Sequence, residues 1–156
     1  MTDWIEEKAA RSRTLKDDTR KRLRQGRQAI DQLETIVRRD IEKWNARFEQ
    51  KIDGVSKSMP SGAFNVRKTS FPSATADAFL SADSSAIEIE TTKRRTVGDG
   101  SYTVKNRINL KSAANGSLSL TTQSGESISL DVVSRLLLET IIESTPSSYY
   151  SEPGKP

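Results

Sequence analysis

IDQLETIVRRDIEKWNARFEQKIDGV, residues 30–55, is the stretch that decides the fold. Its apolar stripe is Ile30, Leu33, Val37, Ile41, Trp44, Phe48, Ile52 and Val55, at spacings of 3, 4, 4, 3, 4, 4 and 3. Eleven residues in three turns is about 3.67 per turn, near the natural α-helical period, so little supercoil is demanded. The stripe suits a nearly straight helix lying on a sheet or another helix. Good helix formers dominate the whole region before Pro60, with Gly26 the one interior glycine of its first half. Thr2 or Asp3 can cap the start, Glu6 and Glu7 suit the first turn, and Gly54 and Pro60 bracket the stop. The expectation is one long helix over residues 1–57, of which 29–57 pack on a sheet.

Followed backward, the stripe meets Gly26, Leu23, Thr19, Leu15, Ser12 and Lys8. Residues 1–28 therefore bury little. A helix of about 50 residues is about 75 Å long, whereas a typical strand spans about 20 Å. The N-terminal half must project, fold back near Gly26, or pack on another chain.

Charge singles out the same half. The chain of 156 residues carries 25 Lys+Arg and 21 Asp+Glu, a net +4. Residues 8–27 hold a net +7, residues 1–7 a net −3, and the rest balances. Within that segment Arg13, Lys16, Arg20, Arg24 and Arg27 follow spacings of 3, 4, 4 and 3, which sets them on one helical face. Such a ridge can follow a phosphate backbone without reading sequence. No aromatic residue is interleaved with it, so base stacking is not offered. The competing reading is a solvated face in which pairs such as Asp17–Lys21 offset the repulsion.

Residues 62–130 read as an antiparallel meander of about five strands, from period-2 apolar alternation bounded by turn residues. Phe64 and Val66 open it, and Phe71-Pro72-Ser73 interrupts it. Residues 74–83 are alanine-rich and fit a short strand or a turn of helix. Keeping apolar residues on one face sets the registers. A hairpin at Asp99-Gly100 pairs Val97 with Tyr102, Thr91 with Ile108 and Ile89 with Leu110. Three-residue loops at Ala114-Asn115-Gly116 and Gln123-Ser124-Gly125 pair Leu110 with Leu120 and Leu120 with Ile128. The opposite face then carries Glu88, Glu90, Lys105, Arg107 and Lys111, with Glu88 across from Lys111. It reads as a solvated face of cross-strand ion pairs rather than a catalytic carboxylate pair.

Residues 130–144 read as a closing helix capped by Ser129 or Asp131 and stopped by Pro146, with too wide an apolar arc for one contact surface. Residues 145–156, with Tyr149 and Tyr150, read as a disordered tail. The fold class is thus α+β: a long N-terminal helix on an antiparallel meander, closed by a C-terminal helix.

The composition removes several chemistries. There is no His and no Cys, so triads, thiolate nucleophiles, disulfides and ordinary zinc sites are out of reach. No Gly-x-Ser-x-Gly, Walker A or Gly-x-Gly-x-x-Gly motif occurs. No catalytic residue, metal site or cofactor is implied, no apolar run is long enough for a membrane span, and the absence of a signal peptide and of cysteine fits the cytoplasm. The expected function is a non-catalytic protein-interaction or assembly module. It would bind a protein partner or a second copy through the long helix, with Leu15, Leu23 and Ile30 at the contact. Antiparallel pairing of two arms would set the cationic segment beside Asp31, Glu34, Asp40 and Glu42 of a second copy. The alternative is a sequence-nonspecific nucleic-acid-binding accessory protein using helix 8–27. A third is a small-ligand cup lined by Trp44, Phe48, Phe64 and Tyr102.

Overall fold

The computed structural model describes residues 3–57, 63–70, 73–94, 100–112 and 117–143. The expectations for Phe71-Pro72, Val97, Asp99, the Ala114–Gly116 loop and the tail 145–156 lie outside them. The order is α1 (Trp4–Arg47), β1 (Gly54–Lys57), β2 (Ala63–Lys68), β3 (Ala74–Leu80), β4 (Ala86–Arg94), β5 (Ser101–Ser112), β6 (Leu118–Thr121), β7 (Ser127–Ile128) and α2 (Leu130–Ile142). The strands form one antiparallel sheet in the order β1-β2-β3-β4-β5-β6-β7, a plain meander of seven strands rather than five. Both helices cover the same face. Their core contains Ile30, Leu33, Val37 and Ile41 of α1, Val133, Leu137 and Ile141 of α2, and Phe64, Val66, Ile87, Ile89 and Ile108 of the sheet.

α1 stops at Arg47, ten residues before the expected end. Phe48 is extended (φ −123°, ψ 148°). Asn45 decides this: its side chain donates to the Ile52 carbonyl (3.0 Å) and accepts from the Ile52 amide (2.9 Å). Lys51 caps the exposed carbonyls by donating to those of Asn45 and Phe48. The chain therefore reverses, and Ile52 enters the core from a loop. Val55 packs against the core from β1. The stripe was continuous in spacing, but its last members reach the core by another route.

β3 is a strand throughout. Ala74, Ala76 and Ala78 are buried while Asp77 faces solvent. Alanine hid this alternation because it is both small and helix-prone. Its smallness lets both helices approach β3, which each contacts. Gly26 works similarly. The helix runs unbroken through it, and a Cβ there would sit 2.9 Å from Cδ2 of Leu80 at the end of β3.

The β5–β6 and β6–β7 registers are those expected, Leu110 opposite Leu120 and Leu120 opposite Ile128. Gly125 takes the left-handed position of its turn, with φ 91°. The β4–β5 register differs by four residues: Ile87 pairs with Ile108, Thr91 with Val104 and Lys93 with Tyr102. An even slide keeps every side chain on its face, so apolar alternation cannot separate the two registers. The observed register gives a better charge match. Glu88 faces Arg107, with the carboxylate 3.0 Å from Nη1, and Glu90 faces Lys105 at 3.9 Å.

Candidate functional site

From Asp3 to Arg22 every residue of the N-terminal segment is exposed. Nothing in the described chain covers this arm, which extends about 29 Å from Asp3 to Arg22. Its helical state follows from local chemistry. The Asp3 carboxylate accepts from the Ile5 amide at 3.0 Å, Glu6 and Glu7 sit in the first turn, and helix formers fill the remainder. Arg13, Lys16, Arg20, Arg24 and Arg27 stand exposed along it. Among the described residues none of the five makes an ion pair, nor do Asp17 and Lys21 pair with each other.

Apolar residues mark a second line on the arm. Trp4, Leu15, Gly26 and Val37 recur every eleven residues, so they share one side of α1. Gly26 and Val37 are buried, whereas Trp4 is 64% and Leu15 66% exposed. Ile5 is exposed beside them, and the ammonium of Lys8 lies 5.5 Å from the centroid of Trp4. The face that packs on the sheet thus continues onto the arm without a partner. Leu23 is half-buried where α1 meets the sheet. Ile30 corrects the expectation: at 1% exposure it belongs to the chain's own core and cannot meet a partner.

Two of the four acids expected to receive a second arm are already engaged. Glu34 is buried and holds Arg38 at 3.0 Å. Asp40 accepts from Arg39 (3.1 Å) and from the Ser134 hydroxyl (2.8 Å). Arg39 also reaches Asp131 at 2.7 Å, and these hydrogen bonds, the one to Asp131 foremost, hold its guanidinium above its usual pKa. The contacts of Arg39 and Asp40 tie α2 to α1, so the side of α1 that carries Asp40 is already occupied by α2.

The aromatic cup is not assembled. Phe64 is fully buried on β2, and Tyr102 lies on β5. Trp44 and Phe48 stack at 3.9 Å between centroids and line a cleft of about 340 Å³ between α1 and α2 with Leu138 and Ile142. Phe48 is exposed there rather than packed on the sheet.

A second cleft, of about 440 Å³, lies where the arm leaves the sheet. Arg22, Gln25, Ser84, Ser85, Lys111 and Ser112 contribute its polar lining. The sequence reading missed it, because its lining follows from the β4–β5 register, which lets Lys111 and Ser112 run on past the end of β4. The signal available was Arg22 itself, a cation of the arm that falls off the ridge.

Among the described residues no group of three or more Asp or Glu could hold a metal ion, and no helix is long and apolar enough to cross a membrane. No family model matches the chain, and no curated protein or solved structure matches it.

Proposed function

We propose that the chain is a non-catalytic assembly module that joins a protein partner, a second copy of itself in the simplest case, through residues 3–23 of α1. The observation that carries this reading is the uncovered arm. It keeps on its sheet-facing side the apolar residues Trp4 and Leu15, in phase with the buried Gly26 and Val37. Isolated helices of this length are marginal in water, and packing normally supplies their stability. A partner surface laid along Trp4, Leu15 and Leu23 would supply it here. The reading places the module in the cytoplasm, where a chain without cysteine is insensitive to the reducing environment. Light scattering of the full chain and of a chain lacking residues 1–22 tests it. The expected result is a multiple of 17.3 kDa for the first and a monomer for the second. A monomeric full chain whose arm amides are nonetheless fully protected from exchange would reject it.

The basic ridge supports a second reading, a sequence-indifferent nucleic-acid-binding accessory protein. Its five cations are exposed and in no ion pair among the described residues. Duplex binding should then weaken with salt at a log–log slope of about 0.9 per phosphate contact, roughly 4–5 for the five. Equal affinity and slope for the wild type and an Arg20→Gln/Arg24→Gln variant would remove this reading.

A further inference from the structure

We propose that the cleft at the root of the arm binds a small phosphomonoester. Its walls come from three places. The β4–β5 ladder closes at Ala86 opposite Asn109, and the Leu110 amide still donates to the Ser85 carbonyl at 2.8 Å. Lys111 and Ser112 then run on past the end of β4, level with the turn 81–85. α1 passes over this overhang and is fixed to it by the Ser112 hydroxyl, 2.8 Å from Oε1 of Gln25. Between turn, overhang and helix lies the space of about 440 Å³, with Leu110 and Leu118 as its apolar wall.

The charge in this space is of one sign. Arg22 and Lys111 line it, and among the described residues no carboxylate does. Neither cation makes an ion pair among the described residues. Asp18, one turn before Arg22 on α1, is exposed and is not among the residues that line the cleft, and the two acids flanking Ser84 and Ser85 in sequence are engaged. Asp83 accepts from the Ser81 hydroxyl (2.8 Å), the Ser85 hydroxyl (2.6 Å) and the Ser85 amide (3.0 Å), and Glu88 holds Arg107. One hydroxyl donor completes the set. Ser84 lies in the cleft at φ 59°, the one non-glycine residue with positive φ among those described, and its hydroxyl makes no hydrogen bond there. A serine in the left-handed region is strained, and such strain concentrates at ligand sites. Here the turn is fixed by Asp83, which leaves the Ser84 side chain for the cleft. A guanidinium, an ammonium and a hydroxyl donor suit a tetrahedral dianion. The volume exceeds one phosphate group, and the leucine wall can take the carbon skeleton that bears it.

The proposal does not rest on assembly, since every lining residue belongs to one chain. The test is an amide-resolved NMR titration of the full chain with inorganic phosphate, phosphoserine and adenosine monophosphate, against sodium chloride at equal ionic strength. Saturable shifts at Ser84, Ser85 and Lys111 are expected with the two esters and weaker ones with free phosphate. They should be larger at pH 7.5 than at pH 5.5, because the second phosphate pKa is about 6. Arg22→Gln and Lys111→Gln should each weaken binding by about tenfold, while Arg13→Gln on the ridge leaves it unchanged. Both cations are exposed, so the spectra of these variants should keep the wild-type dispersion. Shifts matched by chloride, or an affinity unaltered in the Arg22→Gln/Lys111→Gln double variant, overturn the site. Free phosphate binding as tightly as both esters overturns the assignment to an ester.

Discussion

Leu15 and Leu33 are eighteen residues apart, five turns of α1, and therefore point the same way. One is 66% exposed and the other fully buried. Truncating each to alanine separates what the face does within one chain from what the arm does between chains. Leu33→Ala empties a core position and should cost about 2–5 kcal/mol of folding stability at any protein concentration. Leu15 lies outside the core, so Leu15→Ala should change a dilute monomer by less than about 0.5 kcal/mol. Association changes this. Fully burying a leucine gives about 1.5–3 kcal/mol, and two-thirds of this side chain remains to be covered, so a partner surface would gain about 1–2 kcal/mol per copy. A twofold dimer contains the contact twice, which makes the loss in Leu15→Ala about 2–4 kcal/mol, or a rise in Kd of roughly 30- to 700-fold. Sedimentation equilibrium over a concentration series reads the Kd, and urea unfolding of dilute samples reads the monomer. The reasoning fails if Leu15→Ala associates as tightly as wild type. It fails equally if the dilute monomer loses stability on a par with Leu33→Ala, which would place Leu15 in an intramolecular core.

The turn 81–85 should weaken only in strong acid. Hydrogen bonds from the Ser85 and Ser81 side chains and the Ser85 amide lower the Asp83 pKa to about 2. With its folded pKa below the ordinary 3.8, this carboxylate's contribution is complete above pH 3.8 and is lost as pH falls through the folded value. Amide exchange at Ser85 followed down the acid range checks this, and Asp83→Asn should abolish the dependence. The Glu88–Arg107 pair is only about a third exposed on each side, so a double-mutant cycle with Glu88→Gln and Arg107→Gln should give a coupling of about 0.2–1 kcal/mol, reduced by salt. Lys93 is buried beneath the end of α2, where its ammonium donates to the Glu143 carbonyl; burial, and less strongly the charge of Lys68, push its pKa below 10.5. The unfolded chain then binds a proton that the folded chain gives up, so stability should rise with pH through the window below 10.5. Urea unfolding of wild type and Lys93→Met over that window should show the steeper rise in wild type.

What the sequence disclosed depended on whether a physical rule had one solution or several. Helix caps have few, two neighbouring candidates at each start, and of these Asp3 and Ser129 stand where their side chains meet the amides of Ile5 and Val132. The three-residue turn at Gln123-Ser124-Gly125 has one, because only the glycine tolerates the left-handed position, and it carried the β6–β7 register with it. The β4–β5 register has several solutions, since slides of two or four residues preserve the faces. Charge pairing at Glu88 and Glu90 was the discriminating signal, and it was subordinated to the Asp99-Gly100 turn. β3 was hidden by alanine and β1 by an apolar spacing that imitated another helical turn. The ridge was legible because exposed positions on an uncovered helix follow its period alone. The cleft was not, because it depends on how far β5 overruns β4.

That overrun also explains where the arm begins. Gly26 brings α1 close enough to Leu80 that no side chain fits between them, and the helix cannot descend further toward the sheet on that side. One residue earlier, Gln25 reaches the overhanging end of β5 and fixes the helix above it. Before that the sheet has ended, so α1 runs on with nothing beneath it. Its eleven-residue period still turns Leu15 and Trp4 toward the side on which the sheet lay. Had the arm evolved only as a solvated cationic rod, those two positions would carry no reason to be apolar, because the core ends at Gly26. Had it been a seam to another chain alone, five cations along a neighbouring face would weaken it by repulsion. On the proposed reading both faces meet something at once: an apolar strip against the inner side and negative charge along the ridge. An assembly partner that supplies both, acidic beside Arg13, Lys16 and Arg20 and apolar under Trp4 and Leu15, would order the arm through contact and charge together. Its binding should then weaken with salt yet persist at a floor set by the apolar strip. A titration in salt whose affinity falls without limit would assign the arm to charge alone, and one that is flat would assign it to the apolar strip.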